Sequence, residues 1–413
     1  MPIITKLRNY NHAIFLAIIV TVAASIILNF INSPYARIFF YIASYISILS
    51  LLINWNKKPE REVILIIAVF ALVGFSKYLW FCLEYIGNPD YNKYNPYYNT
   101  GKRLLLASII AWSAFSLHQY LTDIHKKIIT QTIFAAFIIS SAIGLYQNAY
   151  FPVQRVDFFL GFATDSAYMY SAIALSTILL LEQHKNIIAR IGIVFCFVIA
   201  FYILFKTGTR NVLIFFPFVL LICLVAWRKN VLKKAAITLA AIIVAIAVGY
   251  KPFIESRIHA TEREIATYAQ HDGNRSGSLT ARFAMWKVGY HAFIAHPWGM
   301  SFEKRAQFAQ EFTQRTNSNK SALQFMNIHL HNEFIDTATL QGIPGILVLI
   351  FAYLSLLYYA FREKDPLFLG VTLIIITVGF TDVIFISREQ SIFFPLLFIQ
   401  IAMLRQKKPE SIA

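Results

Sequence analysis

What the chain has little of narrows it first. Its 413 residues include three cysteines, Cys82, Cys196 and Cys223, all inside apolar runs. That excludes a disulfide framework, and no Cys/His spacing suits structural zinc. Charged residues make up only 14% against 58% hydrophobic, with mean hydropathy +0.58. So little charge is incompatible with a soluble domain and places the chain among polytopic membrane proteins. Acids are scarcer than bases, 21 against 37, for a formal charge of +16. The excess does not mark a nucleic-acid binder, because no basic soluble domain carries it. Gly/Ser-rich linkers, solenoid-type repeats and low-complexity tracts are absent too.

What the chain has in quantity is apolar runs. They fall near 13–31, 35–53, 63–85, 104–121, 128–150, 167–181, 187–205, 211–227, 235–250, 343–361, 367–386 and 392–404. At roughly 20 residues per span this predicts about twelve transmembrane helices in an all-α polytopic membrane protein. The first run is too long for a signal-peptide core and lacks a small-residue cleavage site, so it reads as an uncleaved span. Basic clusters at Lys6/Arg8, Lys57/Lys58/Arg61, Lys126/Lys127, Lys185, Arg228/Lys229/Lys233/Lys234, Arg362/Lys364 and Arg405/Lys407/Lys408 mark alternate span ends. All share one parity, which predicts cytoplasmic termini. Three parts follow: spans one to nine in 1–250, a long outward loop in 251–342, and spans ten to twelve with a tail in 343–413.

The loop repeats apolar residues at three and four over 253–269, 279–294 and 302–312, broken by Gly273, Gly277 and the His296-Pro-Trp-Gly299 turn. This predicts a helical cap on the outer ends of the spans.

Four polar positions fall on that outward face. Arg155 follows the fifth span, near Asp157 and Asp165. Arg210 closes the turn Lys206-Thr-Gly-Thr-Arg210, Arg282 precedes Trp286 by one helical turn, and His331 leads the last loop segment. Guanidinium stays charged at any working pH and presents a planar fork that matches phosphate oxygens. Converging arginines therefore suit a lipid-linked phosphate or pyrophosphate, and neutralising a departing pyrophosphate would accelerate glycosyl transfer. No Asp-x-Asp lies on this face and Glu262-Arg-Glu264 is a weak carboxylate pair, so no metal is expected. Imidazole suits proton removal from a sugar hydroxyl near neutral pH. Position 335, one turn beyond His331, is isoleucine; an orienting partner must come from elsewhere in the fold.

Secondary candidates are Asn332 and Asp336, which share a face and would position hydroxyls or cap backbone, Trp286, Lys77 and Arg388. Bland readings stand beside these. Arg282 and Trp286 would form a cation–π brace. Lys77 would snorkel or pair with Glu84. Asp382 and Arg388 would pair on the outer face, and His329, on another helical face from His331, would be structural. Trp80, Tyr91, Tyr94 and Tyr97 would form an interfacial aromatic belt.

Together these positions resemble the O-antigen ligase group of the wider O-antigen ligase/polymerase superfamily. That group's signature is His, then Asn, Ser or Gln, nine residues, then Gly-x-x-Gly. His331-Asn332, residues 333–341 and Gly342-Ile-Pro-Gly345 match it without a gap. Thr207-Gly-Thr-Arg210 is similar to the group's Thr-Gly-(Ser/Thr)-Arg turn, and Arg282 to Trp286 to its Arg-x-x-x-Trp. Ala281 departs from the usual Gly or Ser there, and Arg155-Val-Asp-Phe-Phe-Leu-Gly161 matches only loosely. The resemblance implies a GT-C-like membrane fold with one large periplasmic loop. It implies a bacterial inner-membrane glycosyltransferase that needs no cofactor. The donor would be O-antigen on undecaprenyl pyrophosphate and the acceptor a sugar hydroxyl of lipid A–core in lipopolysaccharide biosynthesis. His331 would activate the acceptor while Arg210, Arg282 and Arg155 hold the pyrophosphate, with inversion. Rivals within the superfamily are an O-antigen polymerase and a protein O-oligosaccharyltransferase. From another class, a glycan-lipid flippase would show symmetric halves with interrupted helices, and none is visible here.

Overall fold

The computed structural model describes residues 2–88, 94–151, 154–184, 186–227, 255–275 and 277–406. Among them are fourteen α-helices. Eight precede the long loop: α1 (Pro2–Leu28), α2 (Ser33–Ile53), α3 (Arg61–Tyr85), α4 (Asn95–Ser116), α5 (Asp123–Tyr150), α6 (Ala163–Glu182), α7 (Ile187–Thr207) and α8 (Arg210–Val225). The loop forms α9 (Glu255–His271), α10 (Ser278–Ala295) and α11 (Phe302–Thr316), followed by α12 (Glu333–Arg362), α13 (Pro366–Gly379) and α14 (Gln390–Arg405). Seven helices are long and apolar enough to cross a membrane, while α8, α13 and α14 are shorter apolar helices. Every apolar run of the sequence coincides with a helix except 235–250, which lies outside the described residues, as do Tyr91, Lys185, Lys407, Lys408 and the Arg228–Lys234 cluster. The run at 104–121 ends early, at Ser116, and that at 367–386 ends at Gly379.

Burial sorts the helices. Residues 166–180 of α6 and 390–403 of α14 are buried on every side, so these two form the centre of the bundle. By contrast α7 exposes a stripe of Ile187, Ile191, Val194 and Val198 at helical spacing, the pattern of a lipid-facing helix. α3 and α4 meet at two glycines: a Cβ on Gly74 would stand 2.9 Å from the Gly101 carbonyl oxygen. Only small residues permit that approach.

Basic clusters gather at one end of the bundle. Arg362 reaches Glu62 at 2.7 Å, Lys126 donates to the Gln406 carbonyl at 2.8 Å, and Arg405 pairs with Asp365 at 3.2 Å. The cap helices lie at the opposite end. Buried Arg305 of α11 fastens the cap by pairing with Asp336 of α12 at 2.8 Å and donating from Nε to the Met326 carbonyl at 2.9 Å. Trp80, Tyr94 and Tyr97 are no interfacial belt: they are buried around Phe302 of the cap, and Tyr97 donates to Asp336 at 2.7 Å.

α12 is broken at Gly342, whose φ of 65° and ψ of −158° only glycine tolerates. The break lets Ile343 N–H reach the Pro297 carbonyl at 2.8 Å and Met300 N–H reach that of Leu340 at 3.1 Å. A Cβ at Gly342 would meet Gly299 N at 2.6 Å. The Gly342 of the signature is therefore where the His296–Gly299 turn of the cap docks against the bundle.

Candidate active site

The turn between α7 and α8 is shaped by glycine. Gly208 has φ 64°, and a Cβ there would stand 3.1 Å from Arg155 Nε. That space lets Arg155 cross the turn, donating from Nε to the Thr207 carbonyl at 2.6 Å and from Nη2 to Thr209 Oγ1 at 3.3 Å. Arg210 opens α8 and points toward the cap, 3.5 Å from Thr261 Oγ1 and 3.7 Å from Glu264 of α9. Glu264 also accepts from Leu279 N–H at 2.5 Å, tying α9 to the start of α10. The carboxylate pair of the sequence is thus split, since Glu262 pairs with exposed His259 instead.

Arg155, Arg210 and Arg282 line one cavity of about 450 Å³ between cap and bundle, with Tyr168, Asn211 and Thr381 on its wall. Arg282 makes no hydrogen bond or ion pair among the described residues. The wall residues are linked: Asn211 Nδ2 donates to Thr381 Oγ1 at 2.5 Å and to Tyr168 Oη at 3.4 Å. Tyr168 donates in turn to Asp382 Oδ2 at 2.9 Å.

The other oxygen of Asp382 is the orienting partner that His331 lacked in sequence. His331 Nδ1 stands 3.0 Å from Asp382 Oδ1. A carboxylate only accepts, so Nδ1 carries the proton and Nε2 keeps its lone pair. The imidazole is one-quarter exposed. His331 has φ 46°, a costly conformation for a non-glycine residue. Its carbonyl is held at 3.3 Å, and that of Leu330 at 3.1 Å, by Trp286 Nε1.

Several sequence expectations change here. Residues 329–332 are not helical, so His329 and His331 do not lie on separate helix faces. Their rings are 4.3 Å apart, and His329 Nε2 is 3.6 Å from Asp382. Burial alone would push the Asp382 carboxyl up, but hydrogen bonds from His329 and His331 hold it well below the usual carboxylate range. Burial likewise opposes charge on His329, and Asp382 outweighs it, so its pKa is raised. Asp382 therefore serves the histidines rather than Arg388, which is exposed. Lys77 neither snorkels nor meets Glu84; it is buried, 3.9 Å from Glu333, whose other oxygen accepts from Tyr353 at 2.8 Å. Asn332 caps α12, accepting from Phe334 and Ile335 N–H, and donates to the Phe380 carbonyl at 2.9 Å. Trp286 acts on backbone, with no cation–π contact to Arg282 among the described residues.

Neither Asp382, Tyr168 nor Asn211 was picked from sequence as a site residue. Asp382 is 51 positions from His331, and its only sequence signal is an acid at the end of an apolar run. His329, His331 and Asp382 also offer three potential metal-ligand atoms within 4.8 Å of one another.

A multi-pass helical membrane protein thus carries an arginine-lined cavity beside a histidine–aspartate pair, under a helical cap. The O-antigen ligase family pattern matches residues 195–350, which hold the α7–α8 turn, the cap and the histidine signature. The O-antigen ligase of Escherichia coli (strain K12) is 28% identical over 373 residues, covering 88% of this chain and 87% of that protein. An uncharacterized protein of Haemophilus influenzae is 29% identical over 164 residues, 38% of this chain and 40% of its own. The chain is thus similar to O-antigen ligases over most of its length.

Proposed function

We propose that this protein is an O-antigen ligase of the bacterial inner membrane, with the cap on the periplasmic side and both termini in the cytoplasm. It transfers a polysaccharide en bloc from undecaprenyl pyrophosphate to a sugar hydroxyl of lipid A–core. The observation that carries this reading is the shared wall: Tyr168 lines the arginine cavity and donates to the carboxylate that orients His331. His331 Nε2 takes the proton from the acceptor hydroxyl as its oxygen attacks the anomeric carbon. The bond from that carbon to the pyrophosphate oxygen breaks, and its electron pair leaves with the undecaprenyl pyrophosphate. Arg210, Arg282 and Arg155 receive that charge, guanidinium doing what a divalent ion does in metal-dependent enzymes. One direct displacement inverts the anomeric centre.

The His329–His331–Asp382 cluster favours a second reading, in which these three residues would hold a divalent ion that would supply Lewis acidity toward the acceptor hydroxyl. One assay separates the two. Purified protein, a glycan on undecaprenyl pyrophosphate and lipid A–core are combined with and without a chelator. Ligated product at an unchanged rate in chelator supports the metal-free mechanism, loss restored by one metal supports the second, and no transfer under either condition sinks both. Lengthening of the lipid-linked glycan itself would assign the chain to polymerases instead.

A further inference from the structure

Arg103 of α4 is a buried guanidinium, 6% exposed, with no carboxylate to answer it among the described residues. Its Nη1 makes a long hydrogen bond to Ser391 Oγ at 3.4 Å, and its Nε has no partner. The Tyr41 hydroxyl lies against it; Ser391, which Arg103 touches, donates in turn to the Arg388 carbonyl at 3.0 Å, and the guanidiniums of Arg388 and Arg37 both oppose its charge. None of the three forms an ion pair among the described residues. Glu389 accepts from Ser33 Oγ at 2.5 Å, one turn before Arg37 on α2, and forms no ion pair among the described residues. Next to Ser391, Gln390 is fully buried and both its amide oxygen and nitrogen are unpaired.

Three like charges converging on a buried position repel one another, and the buried one has lost its water without compensation. An anion among them removes both costs, and the guanidinium fork fits phosphate oxygens. The surroundings indicate a lipid source for that anion. Arg37 lies on α2 beside a stripe of Tyr35, Ile38, Ile42, Tyr45 and Leu49, all exposed at helical spacing and suited to contact acyl chains. The trio stands at the cap end, where α2, α4 and α14 begin. Arg388 is six positions on from Asp382, so the two lie within at most about 20 Å of each other.

We propose that Arg37, Arg103 and Arg388 form a second anion site that takes a phosphate on the headgroup of the lipid-anchored acceptor, apart from the pyrophosphate cavity. This rests on the ligase reading, since a transferase joining two membrane-anchored anionic substrates needs two such sites. With its phosphate there, the acceptor is anchored on one side of the 382–388 loop while its sugar hydroxyl reaches His331 on the other.

Binding is measured on the full chain in phosphatidylcholine nanodiscs, titrated with phosphorylated lipid A, dephosphorylated lipid A, phosphatidylglycerol or inorganic phosphate. Phosphorylated lipid A should bind about tenfold more tightly than the dephosphorylated form, the scale of one charge-assisted hydrogen bond. Arg388→Gln and Arg37→Gln should abolish that preference, and Arg282→Gln should leave it intact. These two positions are not deeply buried, so the test survives if Arg103→Gln fails to fold. Equal binding of both lipid A forms, a preference unchanged in Arg388→Gln, or equally tight phosphatidylglycerol or inorganic phosphate would each overturn the proposal. The assay needs no transfer: a chain that shows the preference but does not ligate loses only the ligase reading, and a ligase without the preference loses only this site.

Discussion

Two sets of arginines stand under the cap, and they differ in how completely they are answered. Arg305 is saturated: Asp336 at 2.8 Å, Thr339 Oγ1 at 3.1 Å, the Met326 carbonyl at 2.9 Å, and the Phe302 ring 4.8 Å beneath it. Across the cavity, Arg210 has a carboxylate only at the edge of contact, 3.7 Å, and Arg282 has none among the described residues. One residue type thus does two jobs. A guanidinium whose donors are spent inside the protein fixes structure. A charge lining a cavity with donors to spare is available to a substrate. The neighbouring turn makes the same point, since Arg155 is partly committed to bracing Gly208 and still lines the cavity.

The sharpest way to break this comparison is to exchange the readouts. His331→Ala should lower transfer by roughly 10²–10⁴-fold, the usual share of a general base, in protein that is still folded and inserted. Asp382→Asn should approach that loss, because a neutral amide no longer dictates which ring nitrogen carries the proton. Normal transfer by abundant, inserted His331→Ala protein removes the imidazole from the chemistry. Next, Arg282→Lys should cost about 10²-fold in transfer without loss of stability, since lysine keeps the charge but not the fork. Arg305→Leu should do the reverse, losing folded protein because Asp336 becomes an uncompensated buried charge worth ~3–5 kcal/mol. A stable Arg305→Leu beside an unfolded Arg282→Lys would invert the assignment.

The sequence shows one side of this difference and hides the other. Spans are visible because each run must bury its own length in lipid, and the three cap helices because their apolar period repeats at three and four. The arginines could be chosen from the charge that phosphate chemistry needs. Whether an arginine is already answered cannot be read, because the answer comes from far along the chain: Asp336 for Arg305, 31 positions on, and Asp382 for His331, 51 positions on. Arg305 itself lies within a periodic helix that reads as an ordinary amphipathic one. A helical period does not apply to His329, because the backbone turns through a positive φ at His331. Gly342 was recognisable as part of a signature, but its physical task, admitting the Pro297–Gly299 backbone, needs the docked cap.

A smaller effect tests how His331 is held in its costly backbone state. Trp286→Phe keeps the ring and removes one hydrogen-bond donor to the Leu330 and His331 carbonyls. At about 1 kcal/mol for such a bond, transfer should fall roughly fivefold. The fall should appear in kcat, with KM for the donor unchanged, because Trp286 touches the catalytic backbone and not the arginines. A rise in donor KM would instead move Trp286 to the binding side of the comparison.

The smallest effect concerns His329, which shares Asp382 without occupying the base position. Its folded pKa lies above the ordinary histidine value, because Asp382 outweighs the opposing effect of burial. Protonation therefore favours the folded state. That contribution is fully present below about pH 6.5, the unfolded value, and is lost as pH rises through the folded value. Asp382 works in the opposite direction: with its pKa depressed, its contribution is present above about pH 4 and disappears only as pH falls through the depressed value. Of this pair, only His329 titrates between those limits. His329→Gln should thus melt about 1–3 °C below the parent at pH 6, and the gap should close as pH rises toward 9. A gap that widens with pH would mean that His329 is held neutral, and that Asp382 is answered by His331 alone.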